Sequence, residues 1–192
     1  MGKIIKNTLI LTIITVIAGL GLGLVYEITK EPIAATEEQA KKEAWQAVFT
    51  DVNADEFEPL EVDEAAAETA ISDLGIKAVV NEVCKAGDEG YIVTVTDKEG
   101  YGGDIKVTVG IQNAGTVSGV SILSISETAG LGMRATESSF QEQYVGKNTE
   151  HFYVSKDGGE GEAIDAISGA TITSRAFTGA VNTAIGYCKN AF

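Results

Sequence analysis

The fold of this chain is decided by a stretch in which β-branched residues alternate with others, Ile105-Lys106-Val107-Thr108-Val109-Gly110-Ile111. Similar stretches flank it at 91–96 and 117–125, and turn-forming residues lie between them at 97–103 and 113–115. Alternation with a period of two predicts β-strands, and short turns predict that neighbouring strands are antiparallel. We therefore expect an antiparallel meander at the centre of the fold.

Helices are predicted on both sides of this meander. Near the C-terminus, small and apolar residues recur three or four positions apart, at Ala176, Phe177, Ala180, Val181, Ala184, Ile185 and Cys188. This spacing predicts an amphipathic helix with a buried face. We expect further helices at 36–49 and 138–145 and a short strand at 152–154. The acidic segment at 51–73 is expected to be a loosely packed connector with one short helix. The mixture of strands and flanking helices indicates the α+β class.

The N-terminal region contains an uncharged segment at residues 7–26. A helix of this length rises about 1.5 Å per residue and spans about 30 Å, the thickness of a bilayer's hydrocarbon layer. A cleaved signal peptide with processing near Ala34 is the alternative, but the apolar run is longer than a signal core. Because Lys3 and Lys6 precede the segment, the positive-inside rule places the N-terminus in the cytoplasm and the rest of the chain outside.

These patterns divide the chain into three parts. They are an N-terminal stub with its anchor at 1–32, a helical and acidic connector with the start of the outer domain at 33–85, and a globular domain at 86–192. The formal net charge of −14 excludes nucleic acid as a partner, because a polyanion requires a basic surface. Cys84 and Cys188 lack the spacing of a zinc or iron–sulfur site. They can form a disulfide or lie buried as small apolar residues, and the sequence leaves both open.

The first candidate site is the loop directly before the C-terminal helix, Asp165-Ala166-Ile167-Ser168-Gly169-Ala170-Thr171. Its small residues allow another group close to the backbone, Thr171 offers a hydroxyl, and free amides at the helix start attract an anion. This combination favours a phosphate ester, although an ordinary capped helix start is also rich in such residues. We expect Thr173 or Ser174 to cap the helix, and Arg175 to pair with the phosphate or with a surface acid.

The second candidate site is the turn after the third predicted strand, Glu127-Thr128-Ala129-Gly130-Leu131-Gly132. Leu131 can pack on the face of a flat aromatic ligand, while Thr128 or backbone groups bond its polar edge. Gly130 and Gly132 allow that ligand to approach the backbone closely. An ordinary turn with one buried leucine is the alternative.

Four segments carry a family resemblance, in the same order along the chain: 24–33, 100–107, the turn at 127–132 and the loop through Ser174. On these segments the chain resembles the G subunit of the Rnf ion-translocating ferredoxin:NAD oxidoreductase complex. It is also similar to the C subunit of the sodium-pumping NADH:quinone reductase, but its compact length and anchor ending favour the Rnf protein. The loop matches the flavinylation sequence Asp-x-x-Ser/Thr-Gly-Ala-Thr/Ser, whose last hydroxyl a flavin transferase esterifies with FMN.

The resemblance implies an FMN-binding domain that carries FMN as a phosphoester on Thr171. The surrounding cofactor site would comprise Asp165, Ser168, Gly169, Ala170, Thr173, Glu127, Thr128, Gly130, Leu131 and Gly132. It also implies a redox relay that couples electron flow from ferredoxin to NAD with cation export, without complete activity in this chain alone. The implied partners are the other subunits of the complex, the flavin transferase and membrane lipid, with a single membrane pass and an outward-facing flavin domain.

The sequence also bears on two other functional classes. A membrane-tethered binding or assembly module without a redox group would have the same anchor, with an ordinary capped helix in place of the flavin site. A hydrolase has little support, because the single histidine, His151, lies beside no recognisable nucleophile motif. Neither a Walker-type phosphate loop nor a strand-linked Gly-x-Gly-x-x-Gly occurs, so nucleotide hydrolysis and NAD binding by this chain are not indicated.

Overall fold

The computed structural model describes residues 1–192, and these form two compact units, Met1–Ala40 and Lys41–Phe192. The helices are α1 (Gly2–Val48), α2 (Glu64–Leu74), α3 (Ser138–Gln141) and α4 (Thr171–Ala191). The strands are β1 (Phe57–Leu60), β2 (Ala78–Ala86), β3 (Gly90–Asp97), β4 (Ile105–Gln112), β5 (Val117–Ile125), β6 (Phe152–Val154) and β7 (Glu162–Ile164). Short 3₁₀ turns lie at Ala54–Glu56 and Gly132–Thr136.

The first unit is the N-terminal part of α1, whose apolar side chains are exposed. It is long and apolar enough to cross a membrane, which fits a single-pass membrane protein. The separate helix expected to begin at residue 36 is wrong, since α1 continues without a break from Gly2 to Val48. Pro32 removes one backbone hydrogen bond, but the Glu, Lys and Ala residues around it favour helix, so the helix is not interrupted.

The second unit is built on a five-stranded antiparallel sheet with the strand order β1-β2-β3-β4-β5. The predicted meander is confirmed in β3, β4 and β5, where Val93 pairs with Val109 and Val109 pairs with Val120. β6 and β7 form a separate parallel pair. With α2 and α4 packed on the sheet, the α+β class is confirmed.

The two faces of the sheet have separate cores. One face packs against α2 and α4 in the larger core, which includes Val93, Val107 and Phe177. The last turns of α1 cover the other face, where Trp45 and Val48 lie in a smaller cluster. Neighbouring residues of β2 and β3, such as Ile92 and Val93, therefore belong to different clusters.

The cysteines are not joined in a disulfide. Cys84 belongs to the smaller cluster, and Cys188 packs against the larger one on the opposite face of the sheet. Burial raises the pKa of both thiols to about 12, so both stay neutral and unreactive at physiological pH. Of the two arrangements that the sequence left open, the structure has separate apolar cysteines, with Cys84 buried and Cys188 half-buried.

Several expected boundaries are wrong. The segment expected as a loosely packed connector with one short helix contains that helix as α2, which Asp63 caps by accepting hydrogen bonds from the amides of Ala65 and Ala66. The same segment also contributes β1, which was not expected. The helix expected at 138–145 ends at Gln141, after which the chain continues in turns. β2 and β7 were not expected at all.

Candidate functional site

The loop before α4 is held by a buried serine. The Ser174 hydroxyl accepts a hydrogen bond from the Ile167 amide at 3.0 Å and donates one to the Ala170 carbonyl at 2.9 Å. The expected cap at Thr173 or Ser174 is wrong, because the helix begins earlier, at Thr171, with Ala170 in the cap position. Ser174 therefore braces the loop from inside the first turn, and the first amides of α4 have no acceptor within the helix.

The two sequence motifs meet at one cavity of about 580 Å³. Its lining residues are Tyr101, Glu127, Thr128, Leu131, Gly132, Lys156, Gly169, Ala170, Thr171, Ile172 and Thr173. The turn after β5 forms one side of the cavity, and the start of α4 forms the other. A cavity of this volume, with apolar walls and a few polar groups, is typical of a small-molecule site.

Close packing of the turn against α4 depends on Gly132. A Cβ atom at this position would lie 2.6 Å from Glu127 Oε2 and 2.7 Å from the hydroxyl of Thr173, which is buried. Only glycine therefore fits between the two motifs. Glu127 Oε1 is also buried and has no hydrogen-bond partner in the protein, so this carboxylate is available to a ligand donor.

The rim of the cavity is apolar. Tyr101 is 71% exposed, Ile172 46% and Leu131 43%, although all three are large apolar or aromatic side chains. A Cβ atom at Gly169, which has a φ of 79°, would lie 3.1 Å from Leu131 Cδ2. Leu131 and Gly169 therefore leave a shallow apolar surface beside the helix start, of a kind that suits a planar ring.

Thr171 lies at the polar end of this cavity. Its side chain is half-buried, and Lys156 Nζ donates a hydrogen bond to Thr171 Oγ1 at 3.4 Å. Arg175, in the first turn of α4, pairs with Asp157 instead, through Nε to Oδ2 at 2.8 Å and through a second contact from Nη2 to Oδ1. The guanidinium lowers the pKa of Asp157, so the pair is ionised at neutral pH. Of the two partners left open for Arg175, the structure has the surface acid.

Three residues of the proposed site lie outside the cavity lining. The exposed Asp165 accepts a hydrogen bond from the Ser155 hydroxyl at 3.1 Å, and its backbone amide donates to Gln143 Oε1 at 2.7 Å. Ser168 is exposed in the turn that leads to Gly169. Both residues shape the loop. Gly130 has a φ of 74° and forms the tip of the other turn, also without lining the cavity.

Tyr101, Lys156 and Ile172 line the cavity but are not among the residues predicted for the site. Tyr101 lies in the turn between β3 and β4, inside a segment quoted only for its resemblance to relatives. Lys156 lies in the loop between β6 and β7, where it looks like any other surface lysine. His151 is not among the lining residues, so the cavity does not contain the base that a serine hydrolase requires.

These residues fit FMN by their chemistry. An apolar surface for a ring lies next to a hydroxyl, free helix amides and a lysine, which are groups that hold or esterify a phosphate. The unpartnered Glu127 carboxylate is an acceptor that a ring N–H can satisfy.

Comparison with protein families and with known proteins points the same way. Residues 1–48 match the model of the RnfG N-terminal region, and residues 100–186 match the model of the FMN-binding domain. The chain is 31% identical over 189 residues to the G subunit of the ion-translocating oxidoreductase complex of Methanosarcina acetivorans, and the match covers 96% of this chain and 94% of that protein.

Two further relatives are of the same kind. The G subunit of the Na⁺-translocating ferredoxin:NAD⁺ oxidoreductase complex of Acetobacterium woodii is 31% identical, covering 97% of this chain and 92% of the relative. The proton-translocating counterpart of Clostridium ljungdahlii is 33% identical, covering 91% and 86%. Among solved structures, NqrC of Shewanella oneidensis aligns with a TM-score of 0.57 and 19% identity over 80% of this chain and 94% of that one.

Proposed function

Because the chain belongs to the RnfG family, the G subunits of ion-translocating oxidoreductase complexes, we propose that it is the flavin-carrying electron-transfer subunit of such a complex. The observation that carries the proposal is the single cavity in which the turn at Glu127 meets the start of α4 at Thr171. A capped helix in a mere tethering module would not need this cavity.

The proposed attachment is a phosphoester between Thr171 Oγ1 and the phosphate of FMN. In the proposed reaction, Oγ1 forms a bond to the phosphorus of FMN, and the phosphoanhydride bond of an activated flavin donor breaks. The other phosphate of the anhydride leaves with the electron pair of that bond, and the hydroxyl proton is released. A flavin transferase would catalyse this step. The product retains one negative charge beside the amides of α4, where the helix dipole favours an anion.

The remaining residues of the cavity would position the ring. Leu131 and Tyr101 offer faces for stacking, Gly132 keeps the turn against α4, and Glu127 accepts a hydrogen bond at the polar edge. Bound FMN would supply the electron-accepting and electron-donating chemistry. Covalent attachment suits an outward-facing domain, since a reversibly bound carrier would be diluted into the medium.

The complex is proposed to couple electron transfer between ferredoxin and NAD to cation translocation, with the neighbouring subunits and membrane lipid as partners. The names of the relatives specify sodium in one case and protons in another, so similarity does not select the ion. We propose that α1 crosses the membrane once, with Lys3 and Lys6 in the cytoplasm and the flavin domain outside. An NqrC-like role in a sodium-pumping quinone reductase is the alternative, supported by fold similarity at 19% identity.

The attachment is tested by co-expressing the full-length chain with a flavin transferase and examining denaturing gels under ultraviolet light. We expect a fluorescent band for the unaltered chain and for Thr171→Ser, which keeps the hydroxyl, but none for Thr171→Ala. Ser139→Ala is the control, because it removes an exposed hydroxyl that lies outside the cavity and should leave the band unchanged. A fluorescent Thr171→Ala band would show that the attachment site is wrong.

A further inference from the structure

The loop between β6 and β7 lies against the start of α4 and is held there by its side chains. Asp157 forms the two-contact ion pair with Arg175, and the Ser155 hydroxyl donates to Asp165 Oδ1 at 3.1 Å. Lys156 lies between these two anchored residues. The loop therefore has little freedom at the position from which Lys156 reaches the cavity.

Lys156 is the one basic side chain among the residues that line the cavity. Its ammonium donates to Thr171 Oγ1 at 3.4 Å, the atom proposed to carry the phosphate. Arg175 is also near the helix start, but Asp157 engages its guanidinium through both Nε and Nη2. Of the two cations near Thr171, only Lys156 is therefore directed at the hydroxyl.

We propose that Lys156 is the cation that pairs with the phosphodiester on Thr171, and that the Asp157–Arg175 ion pair fixes the loop while keeping Arg175 out of the site. The inference rests on the proposed function, since it requires FMN at Thr171. Flavin attachment adds a negative charge. The inference is that Lys156, a loop residue outside both sequence motifs, neutralises this charge.

The charges around the site favour pairing of Lys156 with the phosphodiester. The chain carries a net charge of −14, and Glu127 places a carboxylate in the same cavity, so an added phosphodiester is repelled by charge of the same sign. The helix start offers only partial positive charge. A lysine in contact with the ester oxygen supplies a full positive charge, and its exposed position makes the effect modest and sensitive to salt.

The test follows flavin attachment over time. The full-length chain is held in membranes of a host, flavin transferase expression is induced, and in-gel flavin fluorescence per protein is measured at intervals. We expect Lys156→Gln to slow labelling about twofold to fivefold, the range for an exposed ion pair. Lys156→Arg retains the charge and should label at nearly the unaltered rate. Lys77→Gln removes an exposed lysine outside the cavity and is the matched control.

A second comparison tests the role of the ion pair. In the Lys156→Gln background, Asp157→Asn releases Arg175, which is in the first turn of α4 and can take over the phosphate. We expect this double variant to label faster than Lys156→Gln alone, and the further change Arg175→Gln to abolish the gain. Equal rates for the single and double variants would overturn the role assigned to Asp157 and Arg175.

The outcomes separate this inference from the proposed function. If the unaltered chain is labelled and Lys156→Gln is labelled equally fast, Lys156 does not pair with the phosphate and the flavin assignment stands. If Lys156→Arg is as slow as Lys156→Gln, the lysine acts through its shape and the charge pairing is wrong. If the unaltered chain takes up no flavin at all, the proposed function fails and this inference fails with it.

Discussion

Asp97 is buried at the end of β3, with only 1% of its surface exposed. Its Oδ1 accepts a hydrogen bond from the Glu99 amide at 2.8 Å, while Oδ2 has no partner. Burial disfavours the charged form and raises the pKa of Asp97 to about 6, although the Glu99 amide acts in the opposite direction. The folded protein therefore holds this proton more tightly than the unfolded chain does.

The stability of the fold should depend on pH through this carboxyl. Between about pH 4 and pH 6 the folded state binds more protons than the unfolded state, so the free energy of unfolding falls as pH rises. Asp97→Asn keeps the acceptor for Glu99 and removes the buried charge. We expect it to stabilise the protein at pH 7 by up to about 3 kcal/mol more than at pH 4.

Urea unfolding of the full-length chain in detergent at the two pH values measures this difference. Asp73→Asn is the control, since Asp73 is exposed. If Asp97→Asn changes the free energy of unfolding equally at pH 4 and pH 7, Asp97 does not titrate as described.

At the residue scale, the sequence predicted Thr171 and the turn at Glu127, but three residues that line the cavity were not predicted: Tyr101, Lys156 and Ile172. Thr171 and Glu127 lie in short segments that are rich in small residues, and this local pattern was enough to predict a site in each. In the structure both residues line one cavity. Tyr101 and Lys156 come from separate loops, and their position depends on long-range packing that no local pattern encodes. That these residues bind FMN stays a prediction.

At the scale of elements, α4 is tied to the turns after α3 by a buried hydrogen bond. Tyr144 and Thr178 are buried, and their side-chain oxygens lie 2.8 Å apart. Because Thr178 donates its single hydroxyl proton to the Ser174 carbonyl, Tyr144 must be the donor in this pair. The bond fixes the segment after the turn at Glu127 against the helix that carries Thr171.

Removing the hydroxyl of Tyr144 should lower the stability of the fold without leaving a cavity in the core. We expect Tyr144→Phe to lower the free energy of unfolding by about 1 kcal/mol, because the ring still packs and only one hydrogen bond is lost. Tyr153→Phe is the control, since no hydrogen bond of its hydroxyl occurs in the structure. Chemical denaturation measures both variants, and equal effects would contradict the role of the Tyr144 hydroxyl.

Three strands, β1, β2 and β7, were not predicted from the sequence, and each omission has a physical reason. β1 contains Pro59, which is rare in strands and is accommodated here because β1 is at the sheet edge. β2 has a register shift between Val80 and Glu82, which breaks the alternation that marked the other strands. β7 has three residues and pairs in parallel with β6, too short a stretch to show a period.

At the scale of the whole molecule, the last turns of α1 belong to the second unit. Trp45, Val48 and Phe49 are buried in the smaller cluster with Cys84 and Ile92. The part of α1 that follows its apolar segment therefore completes the hydrophobic core of the second unit. A cut that removes the anchor must leave these residues in place.

Two truncations test this division. A chain of residues 41–192 should stay in the supernatant after ultracentrifugation without detergent, and unfold cooperatively. A chain of residues 50–192 lacks Trp45, Val48 and Phe49 and should lose about 5 kcal/mol of stability, because burial of three large side chains is lost. If both chains are equally stable, or if 41–192 sediments with membranes, the account of α1 is wrong.

The central claim is that a flavin is esterified to the hydroxyl at the start of α4. Intact mass spectrometry of the protein purified from its native membranes tests it most directly. The account predicts a mass raised by one FMN moiety less water, with peptide fragmentation placing the addition on Thr171. A protein of unmodified mass, taken from membranes whose complex is active in electron transfer, would contradict it.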